Sequence, residues 1–314
     1  MKRRTFLCRT TEALAGAALA PPIGRLTVRP AERYLERWSW VMGQPVRVEL
    51  FAPSEDLGLE AAAAVLRELR RVEAQLSIFN DASDLAELNR HAGRGWFRAG
   101  DDLLTFLQAA ARMRRVTAGA FDSAVEPLMR AWGFREVAKA TPPTQAELRE
   151  AGDAVRASRI VLDGRRVALP AGHTRLDPGG IGVGYGLDRA RAVLRRHQIQ
   201  RAFVDVSGDC LALGAPPGEN GWPVTVVDSA RPSRVIVSTR LRDHALATSS
   251  NAVSVVRFGD LTVGHIMDPR TDGPARALRQ ATVVARTGIE ADALSTALLV
   301  SGRPGPGALK VWGG

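Results

Sequence analysis

Cysteine is almost missing from this chain: the 314 residues hold two, Cys8 and Cys210. Cys8 falls in an N-terminal segment laid out like a cleavable export signal, so a mature chain keeps Cys210 alone and forms no internal disulfide. Cys8 also precedes the apolar run of that segment instead of following it, which argues against a lipid-anchored cysteine. Long hydrophobic runs are lacking as well. Beyond the N-terminus no stretch holds the roughly 18 apolar residues that a membrane helix needs, which argues against a spanning segment in the mature chain. Aromatic residues make up only 5%, and no basic run has the length of a nucleic-acid patch. Nucleic acid is therefore not an expected partner. Repeats, low-complexity blocks and long linkers are absent too.

What is present is an ordinary globular composition, 45% hydrophobic and 24% charged. That supports a sizeable core in one large domain or two packed lobes. The net charge is +10, of which residues 1–20 carry +3, leaving +7 on a chain beginning near Pro21. Such an excess favours an anionic ligand or an acidic partner, or simply dresses a solvated surface in arginine. At the N-terminus, Lys2, Arg3 and Arg4 precede Thr5-Phe6-Leu7, and a small-residue apolar run follows from Ala13 to Ala20. This is the layout of an export signal, and Arg3 to Leu7 resembles the twin-arginine motif. Glu12 inside the segment and Pro21 after it depart from the usual pattern. The expectation is a signal and linker over 1–28, a domain over 29–314, and a periplasmic location reached after folding. An uncleaved signal would act as an anchor.

Patterning predicts an α+β fold, with helices flanking a mostly antiparallel or mixed sheet. Alternation ending the stretch 38–51 predicts a strand, and the Ala/Leu/Arg/Glu-rich stretch 57–78 a long helix. Ser83 opens a short helix after a turn, residues 101–116 form a second amphipathic helix, and Thr144 opens another within 142–157. From Arg159 onward, short Val/Ile/Leu runs at 160–162, 166–169, 202–206, 224–227 and 235–239 read as strands. Helices are expected over 185–196 and 291–300.

Four segments carry chemistry. Leu176 to Asp188 (LDPGGIGVGYGLD) packs glycines ahead of a helix, which lets backbone approach a phosphate at a helix N-terminus, or serves tight packing. It is not the dinucleotide fingerprint, because no strand–helix–strand pattern frames it. Gly119-Ala120-Phe121-Asp122 offers an aromatic and an acid after a turn; they suit a ring-binding pocket, or a core phenylalanine beside a helix cap. Asp292 and Thr296 stand four apart on one helix face, a hard-oxygen pair for Mg²⁺ or an ordinary first-turn acid. His265 ends a strand-like run before a turn, a place for a proton-transfer group or a structural histidine.

In order and texture these segments resemble the FAD:protein FMN transferase family. The likeness runs from Val41-Met42-Gly43 through Leu76 to Phe79, Ser83 to Leu85 and Asn89 to the Gly119–Asp122 block. It continues through the Asp177–Asp188 loop, Ser207-Gly208-Asp209, Ala247-Thr248-Ser249, His265 to Thr271 and Ala291 to Thr296. The resemblance implies an enzyme that splits FAD at its pyrophosphate, passes FMN to a threonine hydroxyl of an acceptor protein and releases AMP; some members hydrolyse FAD to FMN and AMP instead. It implies Mg²⁺ on Asp292, Thr296 and the Gly180 carbonyl. It places Met42, Phe79, Ala120, Phe121, Asp122, Asp177, Val183 and His265 at the flavin-nucleotide site, with His265 also as the base. Departures from the family pattern are Val183 for a lysine, Phe79 for a tyrosine, Ser207 for a glycine, and Ser250-Asn251-Ala252 for a Gly-x-Tyr pattern. They leave room for a weakened FAD-binding protein.

Overall fold

The computed structural model describes residues 32–135 and 141–313; the expected signal and linker over 1–28 lie outside the described residues. The chain opens with a hairpin. β1 (Arg33–Val41) and β2 (Gln44–Ala52) pair antiparallel from Arg33↔Ala52 to Val41↔Gln44. Met42 and Gly43 close it with φ of 56° and 68°, the left-handed pair whose twist matches the flanking strands. The strand read from the alternation that ends 38–51 is β2; β1 before it was not read, because methionine does not announce such a turn.

Helices begin where side-chain caps are available. α1 (Glu55–Leu76) starts at Ser54, whose hydroxyl accepts from the Leu57 N–H, and α2 (Asp84–His91) at Ser83, which accepts from the Ala86 N–H. After β3 (Trp96–Arg98) come α3 (Asp101–Val116), α4 (Glu126–Ala131) and α5 (Gln145–Ala157); Thr144 and Glu147 close a capping box at the start of α5. β4 (Val161–Asp163) and β5 (Arg166–Ala168) join β3 in a small sheet.

α6 (Gly182–Arg196) leads into β6 (Arg201–Val206) and β7 (Asp209–Leu213). An antiparallel pair, β8 (Trp222–Asp228) and β9 (Arg231–Leu241), precedes β10 (Ala245–Ser250). Two short hairpins follow, β11 (Val255–Phe258) with β12 (Leu261–Gly264), and β13 (Met267–Asp268) with β14 (Gly273–Pro274). β15 (Gln280–Ala285), α7 (Gly288–Ser301) and β16 (Lys310–Gly313) complete the chain.

The main sheet has seven strands in the order β1-β2-β6-β7-β10-β15-β16, every neighbouring pair antiparallel. This is the expected α+β architecture. Val46, Val48 and Leu50 of β2 bury against Val65 and Leu69 of α1 and Leu187 and Leu194 of α6. A second core joins Leu85, Phe106, Leu107 and Leu176 to Leu294 and Leu299 of α7.

α6 and α7 meet at their N-terminal turns. A Cβ on Gly184 would lie 2.2 Å from the Gly288 carbonyl oxygen, so only glycine permits this approach. The two helices also cap each other. Asp188 of α6 accepts from the Gly288 and Ile289 N–H groups at 2.8 and 3.0 Å, and Asp292 of α7 accepts from the Gly184 N–H at 3.0 Å.

Candidate active site

That mutual capping fixes the first functional side chain. Asp292 is 5% exposed and turns its carboxylate toward the α6 N-terminus. One helical turn on, Thr296 Oγ1 lies 3.0 Å from Ser249 Oγ, which in turn sits 2.7 Å from Ser295 Oγ. Gly180 packs into the same corner: a Cβ there would be 3.1 Å from both Thr296 Oγ1 and the Phe121 ring. The three residues expected to hold a metal therefore converge.

A fourth oxygen donor joins them. Asp209, the first residue of β7, accepts from the Thr248 N–H at 2.8 Å. The turn before it aims it: Ser207 and Gly208 take φ of 54° and 104°, a conformation that glycine adopts more freely than serine. Burial, then the charge of Asp292, pushes the Asp209 carboxyl well up; burial also raises Asp292, opposed by the Gly184 N–H.

The Asp177 loop is clamped from α2. Asn89 Nδ2 donates to the Leu176 carbonyl at 2.9 Å, and its Oδ1 accepts from the Leu176 N–H at 2.8 Å. Asp177 Oδ1 accepts from the Gly179 N–H at 2.7 Å, and Oδ2 pairs with the Arg135 guanidinium. Across the loop, Asp122 accepts from the Ala124 N–H at 2.9 Å and pairs with Arg114 at 2.8 Å. Burial raises the Asp122 carboxyl, against the Ala124 N–H and the charges of Arg114 and Arg159. Asp122 caps no helix, since α4 begins only after Val125. Phe121 belongs to the core and also lines the site.

His265 follows β12, its ring edge-on to Phe134 at 6.5 Å. Its Nδ1 is buried without a hydrogen-bond partner. Burial lowers its pKa, the Ser254 backbone bond opposes, and the Arg135 charge lowers it further. At neutral pH the imidazole is an uncharged base. Burial likewise pulls Arg135 down, with Glu126 opposing.

These groups surround one cavity of about 580 Å³, within the range of small-molecule sites. Its wall includes Phe79, Ala120, Phe121, Asp122, Asp177, Gly180, Val183, His265, Asp292 and Thr296. Met42 is not in that wall. It packs behind α6, where a Cβ on Gly186 would lie 2.9 Å from the Met42 methyl. Gly184 and Gly186 thus serve helix packing, while Gly179 and Gly180 face the cavity.

Sequence reasoning missed Arg135 and Ser249 as wall residues and gave Asp209 no role. Arg135 is one arginine in an arginine-rich chain. Asp209 shows only as an acid after a Ser-Gly turn, and its partner Asp292 stands far along the chain.

A sequence model of the ApbE family matches residues 42–309. The FAD:protein FMN transferase of Vibrio cholerae is 26% identical over 242 residues, covering 75% of this chain and 72% of the relative. That of Treponema pallidum is 29% identical over 309 residues, covering 89% and 82%. Among solved structures, the ApbE protein of Thermotoga maritima superposes with a TM-score of 0.76 at 28% identity, covering 85% of this chain and 87% of that one. The flavin transferase ApbE of Vibrio cholerae shares the fold, with a TM-score of 0.74 at 23% identity over 90% and 97%.

Proposed function

Since the chain belongs to the ApbE family, we propose that it is a Mg²⁺-dependent FAD:protein FMN transferase acting on a threonine of an acceptor protein. The observation that carries this reading is the convergence of Gly180, Asp209, Asp292, Thr296, Asp177 and His265 on one cavity. Two buried acids with raised pKa side by side fit a hard dication. Asp292 and Thr296, with the Gly180 carbonyl, would hold Mg²⁺, and Asp209 would face it. When bound, the ion neutralises pyrophosphate charge and polarises phosphorus toward attack.

The chain's own groups do the rest. Phe121, Asp122 and Asp177 line the nucleotide side, and the Asn89 clamp on Leu176 keeps Asp177 in place. A threonine hydroxyl is a weak nucleophile until a base takes its proton. His265, held neutral by burial, would accept that proton at a ring nitrogen; its Nδ1 is buried without a hydrogen-bond partner. The hydroxyl oxygen forms a bond to the FMN phosphorus, the bridging P–O bond breaks, and AMP leaves with the electron pair. The segment over residues 1–20 supports export of the enzyme and an acceptor outside the cytoplasm.

The test incubates the protein with FAD, Mg²⁺ and a threonine-bearing acceptor, then reads AMP release together with flavin fluorescence on a denaturing gel. Covalent flavin is expected, and Asp292→Ala is expected to lower turnover at least a hundredfold. AMP release without covalent flavin would reassign the chain to FAD hydrolysis. FAD binding with neither product would make it a carrier.

A further inference from the structure

Acidic side chains outnumber basic ones in the cavity wall. Among the described residues of its wall stand four carboxylates, Asp122, Asp177, Asp209 and Asp292, against a single guanidinium, that of Arg135. Asp122 is matched by Arg114, which lies outside the wall of this cavity, at 2.8 Å. A nucleotide entering with its own negative charge meets one protein cation, the Arg135 side chain.

Its surroundings suit that encounter. The Arg135 side chain is 13% exposed, and its Nε is buried without a hydrogen-bond partner. Its guanidinium carbon stands 5.7 Å from the centroid of the Phe79 ring, a cation–π distance. One terminal nitrogen of the fork, Nη2, pairs with Asp177 Oδ2. Asp177 also accepts from the Gly179 N–H, so it keeps a partner if that pairing loosens. A planar fork with an unpartnered Nε matches phosphate geometry in a way a lone ammonium does not. Val183, in the first turn of α6 and in the same wall, contributes no charge.

We propose that Arg135 is the phosphate-recognising residue of this cavity, exchanging part of its bond to Asp177 for a phosphate oxygen of the incoming flavin dinucleotide. The inference rests on the transferase reading above and adds the group that binds the substrate's anionic centre. A structural role, in which Arg135 only neutralises Asp177, gives different binding data.

The experiment measures binding of FAD and of riboflavin, which has no phosphate, by calorimetry without Mg²⁺. It compares the full chain with Arg135→Gln, Arg135→Lys and Arg135→Gln/Val183→Lys. Loss of a charge-assisted contact corresponds to roughly a tenfold to hundredfold weaker FAD affinity in Arg135→Gln. Riboflavin affinity is expected to stay the same, and the added Val183→Lys to restore part of the FAD affinity. Equal losses for both ligands, or an unchanged FAD affinity, would overturn the assignment. If Arg135→Gln does not fold because Asp177 loses its cation, Arg135→Lys decides: a several-fold loss confined to FAD supports the assignment, and no loss overturns it. Failure of the unsubstituted chain to bind FAD even with Mg²⁺ added refutes the transferase reading instead, so the two failures are told apart.

Discussion

His265 owes its chemistry to where it sits. An exposed imidazole titrates near 6.5, but burial and the Arg135 charge favour its neutral form. A base works only when deprotonated, so turnover falls as pH drops through its pKa. Because that pKa is lowered, the acid limb of transfer is expected below about 6.5. In Arg135→Gln, measured at saturating FAD, the limb moves upward because one opposing positive charge is gone. A wild-type limb above that value, or an Arg135→Gln limb that stays put, would show that another group titrates. Such a residue is half legible in a sequence. A histidine after a strand-like run is visible, whereas the buried Nδ1 and the nearby guanidinium arise from segments far apart in the chain.

At the scale of elements, the pair α6 and α7 positions the acids. Their approach depends on Gly184, where a Cβ would meet the Gly288 carbonyl oxygen at 2.2 Å and the Asp292 Cβ at 2.8 Å. Two backbones cannot give way as a flexible side chain can. Gly184→Ala is therefore expected to force the helices apart, costing about 1–3 kcal/mol or more, and to shift Asp292 from Asp209. Both a lower melting temperature and a loss of Mg²⁺-dependent turnover should follow. A variant that melts like the parent and keeps full turnover would show that the helices absorb a methyl group there. The sequence shows these glycines as a cluster ahead of a helix, and it cannot tell phosphate approach from helix packing; the structure divides them, Gly184 and Gly186 to packing and Gly180 to the cavity. Capped helices such as α2 and α5 were legible because their start signals are local. β15 was not, since all six of its residues are buried and alternation disappears.

Across the whole molecule, the cavity draws walls from distant parts of the chain: the Gly119–Asp122 turn, the loop before α6, β7, β10 and α7. A ligand filling it ties these together, so binding and stability are linked. Ligand at a hundred times its Kd stabilises by about 2.7 kcal/mol. For domains of about 150–250 residues this raises the melting temperature roughly 2–4 °C per kcal/mol. The proposed metal corner and the proposed nucleotide wall share Gly180 and line one cavity, so on that reading the two sites are coupled. FAD and Mg²⁺ added together, without acceptor, are expected to raise the melting temperature by more than the sum of their separate effects. EDTA should remove the excess, and in Asp292→Ala the ion should add nothing. Strictly additive shifts would mean that the ion and the nucleotide bind apart, and would overturn the proposed placement of Mg²⁺ at Gly180, Asp292 and Thr296 beside Asp209.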